Sequence, residues 1–201
     1  VPGLRVLGFA RQIGPLRMSD AEVEALSQQD LSVADIDAFA ARMPQRERSV
    51  EVAQLLVEAK QTGRSYGGLV ELWLCGVPPS LGQPVFHKLK ADLAQAMLSV
   101  GATSSVELGD GADVKGAEGS VFHRDEARPE RYGGIRGGIS TGERIVLRVA
   151  CKPTASVLDV ARTGRHDPCI VLRAIPVLEA MAYLVLADHV LWRRTDGVNI
   201  E

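Results

Sequence analysis

The sequence predicts a layered α+β fold with a largely aliphatic core, and three observations predict it. Strand-like and helix-like stretches follow one another in grouped order, which suits sheets packed against helices. One stretch, Arg144 to Lys152, alternates with a period of two, the spacing of a strand whose faces meet different surroundings. Finally, 46% of the 201 residues are hydrophobic and 24% charged while only 4% are aromatic. That composition can bury a real core and argues against disorder.

The elements follow in order. Leu4 to Gly14 reads as an opening strand that ends at Gly14-Pro15. Ser19 with Glu22, and Ser32 with Asp35, each place a hydroxyl three residues before an acid, the signature of a capped helix start. The next helix is predicted from near Ser49 to Gly63, with Val50, Ala53, Leu56, Val57 and Lys60 as its apolar stripe and charged edge. A strand after Gly67 is broken by Pro78-Pro79. Phe86, Leu89, Leu93, Met97 and Val100 then predict an amphipathic helix by their three- and four-residue spacing. A short strand over Ser105 to Leu108 leads into a polar, glycine-rich stretch of more than twenty residues up to Gly134. That exceeds ordinary loop lengths and predicts a lid or binding loop. In the alternating strand, Ile145, Leu147 and Val149 point one way; Arg144, Val146, Arg148, Ala150 and Lys152 point the other. The last helix is predicted to begin at Pro176, a favoured first-turn residue, and to be buried almost all round.

Charge and cysteine content narrow the function classes. A formal net charge of −2 and a pI near 6.1 give no global attraction to nucleic acid or to an anionic membrane. Cys75, Cys151 and Cys169 are odd in number and far apart, which favours reduced thiols in a cytoplasmic protein. The opening residues lack the features of a signal peptide. The apolar run from Ile175 to Leu191 is interrupted by Glu179, Asp188 and His189 and falls short of the ~20 residues that span a bilayer. No membrane span is expected.

Candidate chemistry gathers in the second half. Five glycines lie between Gly133 and Gly142, yet they form neither a P-loop nor a dinucleotide fingerprint. They are compatible with a glycine-rich hairpin or with backbone that must approach a ligand. Four-residue steps place Arg144, Arg148 and Lys152 about 13 Å apart along one strand face, a spacing for separated negative groups or simply a solvated face. His166 and Cys169 could share a metal, but no second pair supports them, and Asp167-Pro168 alone makes a turn before a helix. No metal is expected.

Three blocks, GQPVFHKLKADLAQAMLSVGA, GGIRGGISTGERIVLRVACKPTAS and RHDPCIVLRAIPVLEAMAYLVLADHVL, occur in this order and together resemble the C-terminal half of chorismate synthase. The opening RVLGFARQIGPL is similar to the strand that begins that half, so residues 1–201 read as one C-terminal portion. The resemblance implies a β-α-β sandwich of antiparallel sheets layered with helices, assembled as a homotetramer. It implies an FMN-dependent lyase that eliminates phosphate from 5-enolpyruvylshikimate 3-phosphate to give chorismate. Reduced FMN lends electron density and recovers it. A truncated homologue that binds flavin or another phosphate-bearing ligand, or that only oligomerises, is the alternative.

The resemblance places the flavin contacts on Gly101, Ala102, Gly137, Lys152, Pro153, Thr154, Ala155, Ser156 and Arg165. It places Asp167 near the flavin N5 as the catalytic residue. Lys152 would supply a cation, Thr154 a hydroxyl. Family members are nearly twice as long, and their N-terminal half carries two acid–base histidines whose sequence contexts do not occur here. A separate N-terminal half is therefore one expected partner. Where the family has Ser-Asn in the glycine loop and Lys-Gly before the short strand, this chain has Ser140-Thr141 and Ser104-Ser105.

Overall fold

A computed structural model describes residues 1–124, 129–158, 160 and 166–195. Its strands are β1 (Arg5–Ile13), β2 (Leu16–Arg17), β3 (Gly68–Cys75), β4 (Thr103–Leu108), β5 (Ile135–Arg136), β6 (Ile139–Ser140) and β7 (Ile145–Cys151). Its α-helices are α1 (Asp20–Ser27), α2 (Val33–Asp37), α3 (Arg46–Thr62), α4 (Leu89–Leu98), α5 (Gly119–Phe122) and α6 (Val171–Thr195). Five strands form one antiparallel sheet in the order β2-β1-β3-β7-β4, and β5 pairs with β6 in a small hairpin. The α+β class is as the sequence predicts.

The two sheet faces differ because β3 and β7 alternate in register. Val70, Leu72 and Leu74 of β3 lie beside Val149, Leu147 and Ile145 of β7, and all six are fully buried or nearly so. Helices α4 and α6 pack on each other and on the sheet, through Leu89, Leu93 and Met97 of α4 and Ile175, Leu178, Ala182 and Leu186 of α6. Full burial of one such side chain contributes roughly 1.5–3 kcal/mol. Gly8 lets α6 come close to β1: a Cβ there would meet Ile175 Cγ2 at 2.8 Å. The N–H groups of Val6 and Gly8 donate to side chains of α6, Tyr183 Oη at 2.9 Å and Glu179 Oε1 at 2.7 Å. Arg42 holds Glu179 from the other side at 3.1 Å.

Both capping boxes form, Ser19 with Glu22 and Ser32 with Asp35. Three helix expectations are corrected. Helix α3 starts at Arg46, with the Gln45 side chain accepting from Arg48 N, and its buried face is Ser49, Val52 and Ala59. Val50 and Val57 of the expected stripe are exposed. Helix α4 starts at Leu89 because His87 takes φ +56°, which ends any continuous helix there and leaves Phe86 79% exposed. Helix α6 starts at Val171, five residues before Pro176. The missing Pro176 N–H costs one bond close to the helix start, where the ring's fixed φ is still helical.

Nor is α6 buried all round. Val177, Leu184 and Leu191 lie 46%, 62% and 55% exposed, and with Ala180 and Ala187, also exposed, they form an apolar stripe at three- and four-residue spacing. By length and composition alone this 25-residue helix could cross a membrane. Here its opposite face packs on the sheet.

The long stretch after β4 carries structure of its own among the described residues: short 3-10 turns at Gly111–Gly116 and Pro129–Tyr132, and α5. Residues 125–128 lie outside the described residues. All five glycines from Gly133 to Gly142 have positive φ. Gly137 and Gly138 occupy the two-residue turn of the β5–β6 hairpin, where both central residues must be left-handed. Turn geometry therefore accounts for these two, whereas Gly133 and Gly134 lie against the backbone of Gly109 and Arg144, where an added Cβ would come within 2.6 Å.

Candidate functional site

Strand β7 delivers Cys151 to the sheet interior and then leaves the sheet, so Lys152, Pro153 and Ala155 are exposed and Thr154 and Ser156 half-buried. Several hydrogen bonds fix this segment. Lys152 N donates to Ala102 O at 2.9 Å, joining it to the residues that follow α4. Thr154 Oγ1 donates to the Asp167 carbonyl at 2.7 Å, and Ser65 Oγ donates to Thr154 O at 2.8 Å. The His166 ring lies between two carbonyls, Ser156 O at 2.7 Å from Nδ1 and Arg64 O at 3.1 Å from Nε2. A neutral ring donates to only one of them. Tyr66 N donates to Pro168 O at 2.8 Å.

The structure thus brings Ala102, the run Lys152 to Ser156 and Asp167 into one place, with Gly101 next to Ala102. It does not bring Gly137 there. Gly138 O accepts from Leu89 N at the start of α4, whereas Gly101 lies beyond the helix's other end, roughly 15 Å away at 1.5 Å per residue. Arg165 lies outside the described residues.

The carboxylate of Asp167 is held on one oxygen by a hydrogen bond and on the other only by an ion pair, Oδ2 being buried without a hydrogen-bond partner. Oδ1 accepts from Cys169 N at 3.3 Å, and Oδ2 pairs with Arg173 Nη1 at 3.2 Å. Sequence reading missed Arg173, because an arginine on the first turn of a helix carries no signal of its partner. Ser65 and Arg64 were missed likewise; they arrive from the loop after α3. Beneath the segment, burial raises the Cys151 thiol and raises Cys169 to about 11. Both stay neutral near pH 7, so neither is a thiolate nucleophile.

Can these residues hold a flavin? Space is open beside Gly101, where an added Cβ would meet nothing within 4 Å. Lys152 is exposed and has no ion-pair partner among the described residues, so its charge is available to an anion. The Thr154 proton is spent on Asp167, which leaves that hydroxyl only as an acceptor. One free cation, open backbone and a fixed carboxylate fit an anionic, planar group.

A second feature lies on the sheet face opposite α4 and α6. A groove of about 870 Å³ runs over Glu71, Trp73, Val146 and Arg148, with Gly67, Ser105 and Ala150 also lining it. None of the residues that the resemblance assigns line it. Arg144 and Arg148 are on this face as the alternation predicts, but they do not act with Lys152 as one row. Arg148 donates to Glu71 Oε2 at 3.2 Å and to Gly109 O at 2.6 Å. Arg144 lies over the Trp73 ring at 4.4 Å.

Comparison with known proteins agrees with this architecture. Residues 2–191 match the family model for chorismate synthase. A curated chorismate synthase from Bdellovibrio bacteriovorus is 56% identical over 194 residues, which is 96% of this chain and 54% of that protein. A crystal structure of chorismate synthase superposes with a TM-score of 0.76 at 27% identity, over 94% of this chain and 57% of that one. The chain spans about half the length of the relatives it matches.

Proposed function

The chain belongs to the chorismate synthase family, and on that premise we propose that it is the flavin-binding half of an FMN-dependent lyase. The whole enzyme would eliminate phosphate from 5-enolpyruvylshikimate 3-phosphate. One observation carries the reading: Ala102, Lys152 to Ser156 and Asp167, distant in sequence, are tied together by the Lys152–Ala102 and Thr154–Asp167 bonds. Reduced FMN, when bound, supplies electron density to the substrate. Lys152 offsets negative charge at the site's open side. Thr154 would hold the group as an acceptor, and Asp167, held by Arg173 and the Cys169 amide, would supply the carboxyl that acts on its ring. The acid–base histidines that move protons in such an elimination would come from the half of the enzyme this chain does not span.

Fluorescence quenching tests it. A charge-assisted hydrogen bond contributes about 1.5–3 kcal/mol, or roughly ten- to a hundred-fold in affinity. Lys152→Ala and Arg165→Ala should each weaken FMN by that factor. Arg5→Ala, whose guanidinium pairs with Asp30 at 2.5 Å on β1, should bind like the parent. Equal binding by all three variants would place the flavin elsewhere.

A further inference from the structure

We propose that the groove on the sheet face opposite α4 and α6 binds an amino-acid-type zwitterion, with its carboxylate on Arg144 and its cationic end against the groove's acidic walls. This does not rest on the flavin reading, since the groove shares none of that site's residues.

The floor is a buried charge network. Glu71, 2% exposed, receives Trp73 Nε1–H on Oε1 at 2.7 Å, and on Oε2 both Arg11 and Arg148. Both carboxylate oxygens are therefore occupied, and Arg11, itself 3% exposed, reaches on to Asp20. These pairings occupy Glu71, although Arg11 Nε stays buried without a hydrogen-bond partner. Of the groove's other arginines, two have no ion pair among the described residues: the exposed Arg17 of β2 and Arg144. The Arg144 guanidinium rests on the Trp73 ring, its Nε is buried without a hydrogen-bond partner, and no carboxylate pairs with it among the described residues. An arginine stacked on an indole keeps its fork of N–H donors in a fixed plane, the geometry that recognises a carboxylate by two parallel bonds.

The walls are mostly of the opposite sign, with Arg17 of β2 the exception. Helix α1 leaves the β2 edge of the sheet and lines the groove with Glu24; at the far edge β4 contributes Glu107 and the turn after it Asp113. Among the described residues none of these three is in an ion pair. In all, the groove is lined by four arginines and six carboxylates. A dianion would meet repulsion from both walls, and a dication would leave Arg144 unpaired. A ligand with one carboxylate and a distal ammonium matches both regions, and the volume lies in the range of small-molecule sites.

L-lysine is the probe, with cadaverine, which lacks the carboxylate, and succinate, which lacks the ammonium, as its controls. Binding to the 201-residue chain is measured by calorimetry and by the shift of the Trp73 indole N–H resonance, assigned with a Trp192→Phe variant. We expect lysine to bind and to move that resonance, and each control to bind at least about tenfold more weakly. Arg144→Met should reduce lysine to the level of cadaverine and leave cadaverine unchanged. Glu107→Gln with Asp113→Asn, the first at a half-buried and the second at an exposed wall position, should weaken lysine and cadaverine and spare succinate. No lysine binding, equal binding of lysine and cadaverine, or full discrimination retained in Arg144→Met would each overturn the proposal. Should Arg144→Met fail to fold, the wall variant and the cadaverine comparison still decide it.

Discussion

Glu71 shows how one residue can hold several others in place. Its two oxygens serve Trp73, Arg11 and Arg148, and Arg11 and Glu71 are almost fully buried. Removing the acid strands the buried guanidinium of Arg11 and the indole N–H together. Breaking a buried pair by deleting one partner costs about 3–5 kcal/mol, so Glu71→Ala should lower unfolding free energy by that amount in urea titration. Glu71→Gln keeps an acceptor for Trp73 and should cost less. If Glu71→Ala changes stability by under about 1 kcal/mol, the network is not a stabilising one. The sequence exposes none of this. An acid inside an apolar strand is visible at position 71, but its partner Arg11 lies sixty residues away, and only the β1–β3 register brings the two together.

At the scale of elements, what could be read in advance was what repeats or caps locally. Strand β7 alternates by two, with Ile145, Leu147 and Val149 in the core and Arg148 and Ala150 on the groove face, so its register is fixed by side chains that the sequence displays. The capping boxes are short-range and were equally legible. Helix faces were less so: Val50 and Val57 suggest one stripe for α3, yet the fold buries Ser49 and Val52 instead, because Ser49 Oγ satisfies itself on Ala40 O at 3.1 Å. The start of α4 depended on a left-handed residue at His87, which nothing local announces. For the candidate site, the run Lys152 to Ser156 was recognisable as a motif, but the Arg173–Asp167 pair and the loop from Arg64 to Tyr66 are products of tertiary packing. The legible caps also carry a prediction. Glu22 accepts from Ser19 N at 2.6 Å and from Ser19 Oγ at 2.8 Å, and these bonds lower its pKa below the ordinary glutamate value. A lowered carboxyl contributes stability that is present above its unfolded pKa and is lost as pH falls through the folded one. Ser19→Ala should therefore cost about 1 kcal/mol at pH 7. The gap between variant and parent should narrow in acid, as the Ser19 Oγ–H bond to the carboxylate is lost while the Glu22 N–H bond to Ser19 Oγ persists, measured by thermal melts across the carboxyl range. A gap that stays constant down to pH 2 would mean that the capping box does not titrate.

For the whole molecule, the outer face of α6 is the feature that most needs company. Val177, Ala180, Leu184, Ala187 and Leu191 line one stripe of a helix whose other stripe is already buried on the sheet. Apolar helix faces are stable against another layer, and contiguous exposed apolar surface of this kind drives association. The chain spans 54% of its curated relative, so a surface that a longer chain could cover is open here. Two copies of α6 could cover each other, since alanines at 180 and 187 between larger residues allow close approach and interdigitation. We therefore expect the 201-residue chain to run as a dimer or larger species in light scattering at tens of micromolar. Leu184→Glu puts a charge at the centre of the stripe, at a position already 62% exposed, so it should not harm the fold of a single copy. That variant should shift the mass toward monomer, with an unchanged far-ultraviolet spectrum. A parent that remains strictly monomeric at high concentration, or a Leu184→Glu variant with the parent's oligomeric mass, would show that this stripe is not what holds copies together.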